Sequence, residues 1–234
     1  MHRSLVCAFL TRYAHARDDE TLRRREFVFA VKNCRPVKVG PWKGVDGREA
    51  AVRVSARREA LVLAYLQGAT LVPVPPSGAG VDVSGDDLWP SRDLAEGLAR
   101  HYGLSTRALL QRRTPIEKSS LGHAPRNLRR QVESLVLTGP LPSGPVVLVD
   151  DFVASGSTMC GCAELLYAAA PSLEACVIKG FAVAYSPGDT DELLGGSPGS
   201  AQRLAGDFAA RQYEWEGLDE RPRNWLVESP LREH

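Results

Sequence analysis

Apolar and polar positions alternate along the chain in two different rhythms, and the changes between them mark its elements. Residues 69–74, ATLVPV, form a short apolar run that predicts a buried strand, stopped by Pro75 and Pro76. Residues 146–150, VVLVD, place four apolar residues in succession, which need cover on both faces and so predict a central strand. CVIKGFAVAY at 176–185 predicts another strand, and TRALL at 106–110 a shorter one. Helical spacing fills the intervals. SARREALVLAYLQG (55–68) has Ser55 placed as its cap and Gly68 at its end. PSRDLAEGLARHYG (90–103) has Ser91 as cap, Leu94 and Leu98 on one face, and Gly103 after its last turn. GSTMCGCAELLYAAA (156–170) reads as a helix, RNLRRQVESL (126–135) as a short one, and SAQRLAGDFAARQYEWEG (200–217) as one that docks on the domain or meets a partner. Residues 17–32 fit either an amphipathic helix opened by acids or a helical turn followed by a strand at EFVFAVK. KVGPWKGVDG and PLPSGP read as loop and turn, 77–89 as a Gly/Asp/Ser-rich loop, and 111–127, without a consistent period, as a mobile loop. Strands alternating with helices predict an α/β fold with a parallel sheet flanked by helices on both faces.

Composition bounds this picture. With 234 residues and 44% hydrophobic positions, one generous core is affordable. The chain divides into an N-terminal hood or subdomain (1–60), a core (61–185) and an acidic C-terminal extension (186–234). From 186 to 220 there are eight acids against two arginines. Lys+Arg number 29 against 28 Asp+Glu, which argues against general attraction to nucleic acid or an anionic membrane. No apolar run approaches the ~18–20 residues that span a bilayer. The N-terminal apolar stretch is too short for a secretory signal, so a cytoplasmic location is expected. The five cysteines include no CxxC pair, which disfavours a disulfide scaffold or structural zinc site. Cys160 and Cys162, two apart on one helix, point away from each other and read as packing residues. Trp215 and Trp225 read as packing anchors.

Candidate chemistry concentrates at 146–159, VVLVDDFVASGSTM. Asp150 and Asp151 fall at the carboxyl end of the expected central strand, the edge where open α/β sheets bind ligands. Ala154, Ser155, Gly156, Ser157 and Thr158 then open a helix. Their small side chains let main-chain N–H groups converge on an anion, and the helix dipole adds about half a positive charge. A phosphate cup beside two carboxylates suits a sugar phosphate. Two alternatives are an acid pair of the receiver-domain type, which would stand near the chain start, and a plain N-cap.

This segment resembles the phosphoribosyl-pyrophosphate (PRPP) motif of type I phosphoribosyltransferases. The resemblance implies a phosphoribosyltransferase-like fold in which Asp150 and Asp151 hold the ribose hydroxyls and 154–158 wrap the 5′-phosphate. Ser155 stands where the family commonly has Thr and keeps the hydroxyl. Val74, Pro75, Pro76 and Ser77 match the family's pyrophosphate loop, which binds through main-chain amides and often contains a cis peptide. The prolines would make that geometry less costly. The basic stretch 107–130, with seven basic residues against one acid, matches a flexible lid, with Arg112, Arg113 and Lys118 as its pyrophosphate-facing candidates. Arg92, Leu121, Arg126 and Asn127 are similar to positions of the ComF-like branch, although Ser120 replaces its usual Gln and the branch's N-terminal zinc ribbon is missing.

What the resemblance implies is transfer of a phosphoribosyl group from PRPP to a small-molecule acceptor, with release of pyrophosphate. Mg²⁺ is the implied cofactor, carried by PRPP with no direct protein ligand set, and a homodimer is compatible. His123 is a weaker candidate for a general base. The alternatives are a non-catalytic sensor of PRPP or a nucleotide, and an accessory protein in nucleic-acid handling. Balanced charge and the lack of stacking aromatics in 107–130 weigh against the latter.

Overall fold

A computed structural model of the chain describes residues 2–12, 19–78, 88–116, 128–169, 177–185, 202–205 and 208–218. Its elements run β1 (His2–Arg12), α1 (Asp19–Lys32), α2 (Gly47–Ala56), α3 (Glu59–Leu66), β2 (Thr70–Pro73), α4 (Pro90–Tyr102), β3 (Ser105–Thr106), β4 (Leu110–Arg112) and α5 (Leu128–Glu133). Then come β5 (Leu135–Leu137), β6 (Val146–Val153), α6 (Ser157–Ala169), β7 (Ile178–Tyr185), β8 (Gln202–Ala205) and β9 (Phe208–Glu216).

Seven strands form one sheet in the order β3-β2-β6-β7-β1-β9-β8, and β4 pairs with β5 separately. The run from β3 to β1 is parallel, while β9 joins β1 antiparallel and β8 joins β9 antiparallel. The protein is therefore α/β, with a mostly parallel mixed sheet flanked by helices. β6 lies at its heart. Val146, Val147, Leu148 and Val149 are all buried, and each contributes about 1.5–3 kcal/mol relative to exposure. Their alternation separates two cores. Val146 and Leu148 face a layer made by α5, α6, β4 and β5, and Val147 and Val149 face α1, α2 and α4. No helix among the described residues is long and apolar enough to cross a membrane.

Several expectations need correction. Of the two readings open for 17–32, the helix holds for the described part, Asp19–Lys32, which is α1 throughout. The helix expected over 55–68 is two helices. Ser55 sits in the last turn of α2, its hydroxyl donating to the Val52 carbonyl at 2.7 Å, and α3 starts after Arg58 without a side-chain cap. α4 starts after Trp89, with Pro90 in its first turn, where the missing N–H costs nothing. Its expected cap, Ser91, is buried and points elsewhere. Gly103 does end α4, in the left-handed conformation at φ 66°. TRALL splits between the ends of β3 and β4. The apolar run in β1, from the segment assigned to an N-terminal hood, is a strand inside the main sheet.

The largest difference is at 200–217, expected as a helix and found as the β8–β9 pair. Tyr213 and Trp215 alternate with exposed Gln212, Glu214 and Glu216, so β9 buries one face only. Trp215 does anchor this strand. Its indole N–H donates to Glu164 of α6 at 2.8 Å, and the same carboxylate accepts from the Leu218 amide at 3.1 Å and pairs with Arg3 of β1 at 3.3 Å. One buried acid thus ties α6 to both strands that flank it. Trp225 lies outside the described residues.

Candidate functional site

Adjacent parallel strands β2 and β6 send their chains in opposite directions. β2 leads through α4 to β3 on one side of it, and β6 leads through α6 to β7 on the other. Because parallel crossovers keep one hand, α4 and α6 lie on opposite faces of the sheet, as the two core layers confirm. The loops leaving β2 and β6 therefore part at their carboxyl ends. Such a switch point leaves a crevice, the standard ligand position in open α/β sheets. The two loops that meet there are 74–78 and 154–156. The pairing of Pro73 with Val149 and the bond from Val74 N–H to the Val149 carbonyl, 2.9 Å, set them side by side.

Asp150 and Asp151 lie in the carboxyl-terminal half of β6, which continues through Phe152 and Val153, and both are half-buried. The Asp151 amide donates to the Asp150 carboxylate at 2.9 Å. Burial, with the Asp151 charge next to it, pushes the Asp150 carboxyl well above the usual range, and Arg112 pulls the other way.

The loop that follows makes a tight turn into α6. Gly156 has φ 80°, a left-handed conformation that glycine adopts without strain. The Ser155 hydroxyl lies 3.1 Å from that of Ser157 and accepts from the Ser157 amide at 3.4 Å. The Gly156 carbonyl accepts from Cys160 N–H, closing the first turn of α6. The first amides of an α-helix have no partner within it, and such a start is a general anion-binding geometry. Ala154, Ser155 and Thr158 are half-buried, and Gly156 and Ser157 are buried.

Opposite this turn, Val74 and Pro75 are buried and Pro76 and Ser77 half-buried. The Val74 carbonyl accepts from the Trp89 indole at 2.8 Å and from the Ser91 hydroxyl at 2.6 Å, so the start of α4 clamps the loop. That is what Ser91 does in place of capping. All peptide bonds among the described residues are trans, so the prolines here do not introduce a cis bond.

Of the expected lid, Arg112 is corrected outright. It lies in β4 with 1% exposure, donating to Pro76 O, Ser134 Oγ and Gln131 Oε1. Burial lowers its pKa, and Asp150 is among the charges that raise it again. Arg113 is exposed at the end of β4, with its amide donating to Ser134 O. Lys118, Leu121, His123, Arg126 and Asn127 lie outside the described residues. Arg92, half-buried in the first turn of α4, stacks over Trp89 and lies 3.8 Å from Asp93.

Sequence reasoning missed Tyr213, whose ring lies directly against Gly156 and forms the floor of the anion turn. It also missed a charged cluster on the other face. Asp46 caps α2 through the Arg48 amide, and the Arg48 guanidinium binds both Asp46 and Asp93. Two cavities, about 530 and 490 Å³, lie against α1 and between α2 and α4, and neither is lined by the crevice loops.

Cys7, Cys160 and Cys162 are buried, and their thiols are pushed up chiefly by burial, Cys162 to about 12, which makes them poor nucleophiles. Among the described residues no group of three or more His, Cys, Asp or Glu could hold a metal ion. Asp150 and Asp151 are two carboxylates beside the crevice loops, a donor set compatible with an ion that keeps most of its coordination on phosphate oxygens and water. Compared with known proteins, the chain matches no family model and no curated protein.

Proposed function

We propose that this protein binds PRPP with Mg²⁺ at the β2–β6 switch point and transfers its phosphoribosyl group to a small-molecule acceptor, releasing pyrophosphate. The observation that carries this reading is the meeting, at one crevice, of an acid pair, a small-residue turn opening α6 and a second loop rich in main-chain amides and proline. Each matches one part of the ligand. The 154–158 turn receives the 5′-phosphate, Asp150 and Asp151 receive the ribose hydroxyls, and 74–77 faces the pyrophosphate.

In this reaction the acceptor attacks the anomeric carbon, and the bond from that carbon to pyrophosphate oxygen breaks with its electron pair leaving on pyrophosphate. Positive charge builds on the ring in between. Asp150 and Asp151 fix the pentose and place negative charge beside the developing cation, and the amides of the second loop receive the leaving group. Asp150 and Asp151 would be the protein carboxylates nearest a Mg²⁺ carried in with PRPP, which would supply charge neutralisation for the departing pyrophosphate.

The burial of Arg112 favours a second reading, in which the same crevice senses PRPP or a nucleotide without turning it over. A lid cation lost to the interior leaves fewer charges for the departing pyrophosphate. Pyrophosphate release measured with a panel of bases and amines separates the two. Release with one acceptor supports transfer, whereas tight PRPP binding with no release under any acceptor supports sensing.

A further inference from the structure

A guanidinium at 1% exposure is costly to bury, by several kcal/mol per charge, unless its surroundings answer for it. Arg112 is answered by three neutral acceptors from two separate segments. Nε donates to the Pro76 carbonyl at 3.1 Å, Nη1 to the Ser134 hydroxyl at 2.6 Å, and Nη2 to the Gln131 amide oxygen at 3.2 Å. Ser134 is fixed in turn, its hydroxyl donating to the Gln131 carbonyl at 2.6 Å. β4 also pairs with β5 in register, Arg112 opposite Leu135, so the guanidinium has a rigid base. Among the described residues, its hydrogen bond at the crevice is to the loop after β2, and its charge also acts on Asp150.

That contact has a directional consequence. Pro76 C=O and Ser77 N–H belong to one planar trans peptide, so they point in opposite directions. Holding the carbonyl inward toward Arg112 turns the Ser77 amide away from it. The next peptide is held the same way, since the Ser77 carbonyl accepts from Ile116 N–H at 2.8 Å, and this turns the Gly78 amide outward. The Val74 carbonyl is taken by Trp89 and Ser91. Pro75 and Pro76 have no N–H, which leaves Ser77 and Gly78 as the first donors after β2. Among the described residues neither amide has an acceptor.

We propose that Arg112 is a positioning residue for pyrophosphate: by gripping the Pro76 carbonyl from inside the fold, it aims the Ser77 and Gly78 amides at the anion, which it does not touch itself. This rests on the proposed function and adds a residue and a role to it. The buried cation acts through geometry, so a charge without the fork does not replace it. Lysine presents a point charge and cannot reach three acceptors in one plane.

The test is calorimetric titration of the full chain with two separate probes, magnesium pyrophosphate and ribose 5-phosphate, for wild type, Arg112→Lys, Arg112→Met and Gln131→Ala. Both Arg112 variants are expected to lose pyrophosphate affinity by about tenfold or more while ribose 5-phosphate stays within about threefold. Gln131→Ala, which loosens one anchor and keeps the charge, is expected to show a smaller loss confined to pyrophosphate, and it serves where an Arg112 variant does not fold. An equal loss for both probes marks a merely structural role and overturns the inference, as does full pyrophosphate affinity in Arg112→Lys. Wild type that binds neither probe overturns the proposed function and this inference with it.

Discussion

The Tyr213 ring lies so close to Gly156 that a Cβ built on the glycine would stand 2.4 Å from Cε1. The C-terminal strand β9 therefore shapes the turn that opens α6. Gly156→Ala meets two costs, about 1–2 kcal/mol for a left-handed alanine and about 1–3 kcal/mol for forcing the ring aside. The variant is expected to melt at a lower temperature and to bind ribose 5-phosphate more weakly. Thermal denaturation together with titration checks both. An unchanged melting point would show that the turn and the ring are not in contact.

Glu164 is buried and takes partners from β1, β9 and Leu218, two residues beyond β9. Glu164→Ala leaves the Trp215 indole N–H and the Leu218 amide without their acceptor and removes the carboxylate paired with Arg3, which keeps the main-chain carbonyl of residue 164. The loss is about 3–5 kcal/mol by analogy with broken buried ion pairs. Glu164→Gln keeps an oxygen for one donor and is expected to lose less. Chemical denaturation of the two variants gives the comparison, and equal losses would contradict the network.

Asp150 carries a pH signature. Its carboxyl is raised by burial and by Asp151, so the folded chain holds that proton more tightly than the unfolded chain does. The stability it contributes is complete below the ordinary aspartate range, near pH 4, and is lost as pH rises through the folded value. Asp150→Asn is accordingly expected to be more stable than wild type at neutral pH, with the advantage shrinking toward pH 4. Denaturation across that interval tests it. An advantage independent of pH would assign the gain to packing instead. The same variant is expected to bind ribose 5-phosphate less well, so stability and binding move in opposite directions.

Much of the site was legible because its residues leave few local options. Four apolar residues followed by two acids predict a central strand over 146–150, and β6 is that strand, running three residues further to Val153. Prolines at 75 and 76 end β2 where the pattern places its end. The misreadings arose where local preference and tertiary context disagree. FAARQYEWE is rich in good helix formers, yet its alternation of Arg211, Tyr213 and Trp215 with Gln212, Glu214 and Glu216 is the strand period, and burial beside β1 decides between them. Arg112 reads as a pyrophosphate-facing cation of a flexible lid because nothing local to it reveals the Pro76, Gln131 and Ser134 acceptors that gather in space. Ser91 and Ser55 were placed as caps by residue type alone, while each hydroxyl binds a carbonyl instead.

The central claim is that an acid pair and an anion turn at the end of β6 together hold PRPP. Thermal denaturation of wild type and Asp151→Asn, with and without PRPP and Mg²⁺, tests it most directly. At a ligand concentration about a hundred times Kd, binding adds about 2.7 kcal/mol to the folded state. Wild type is predicted to melt at a clearly higher temperature with ligand, and Asp151→Asn to fold normally but gain much less. No shift in wild type with PRPP and Mg²⁺ at millimolar concentration, or an equal shift in both proteins, would contradict the account.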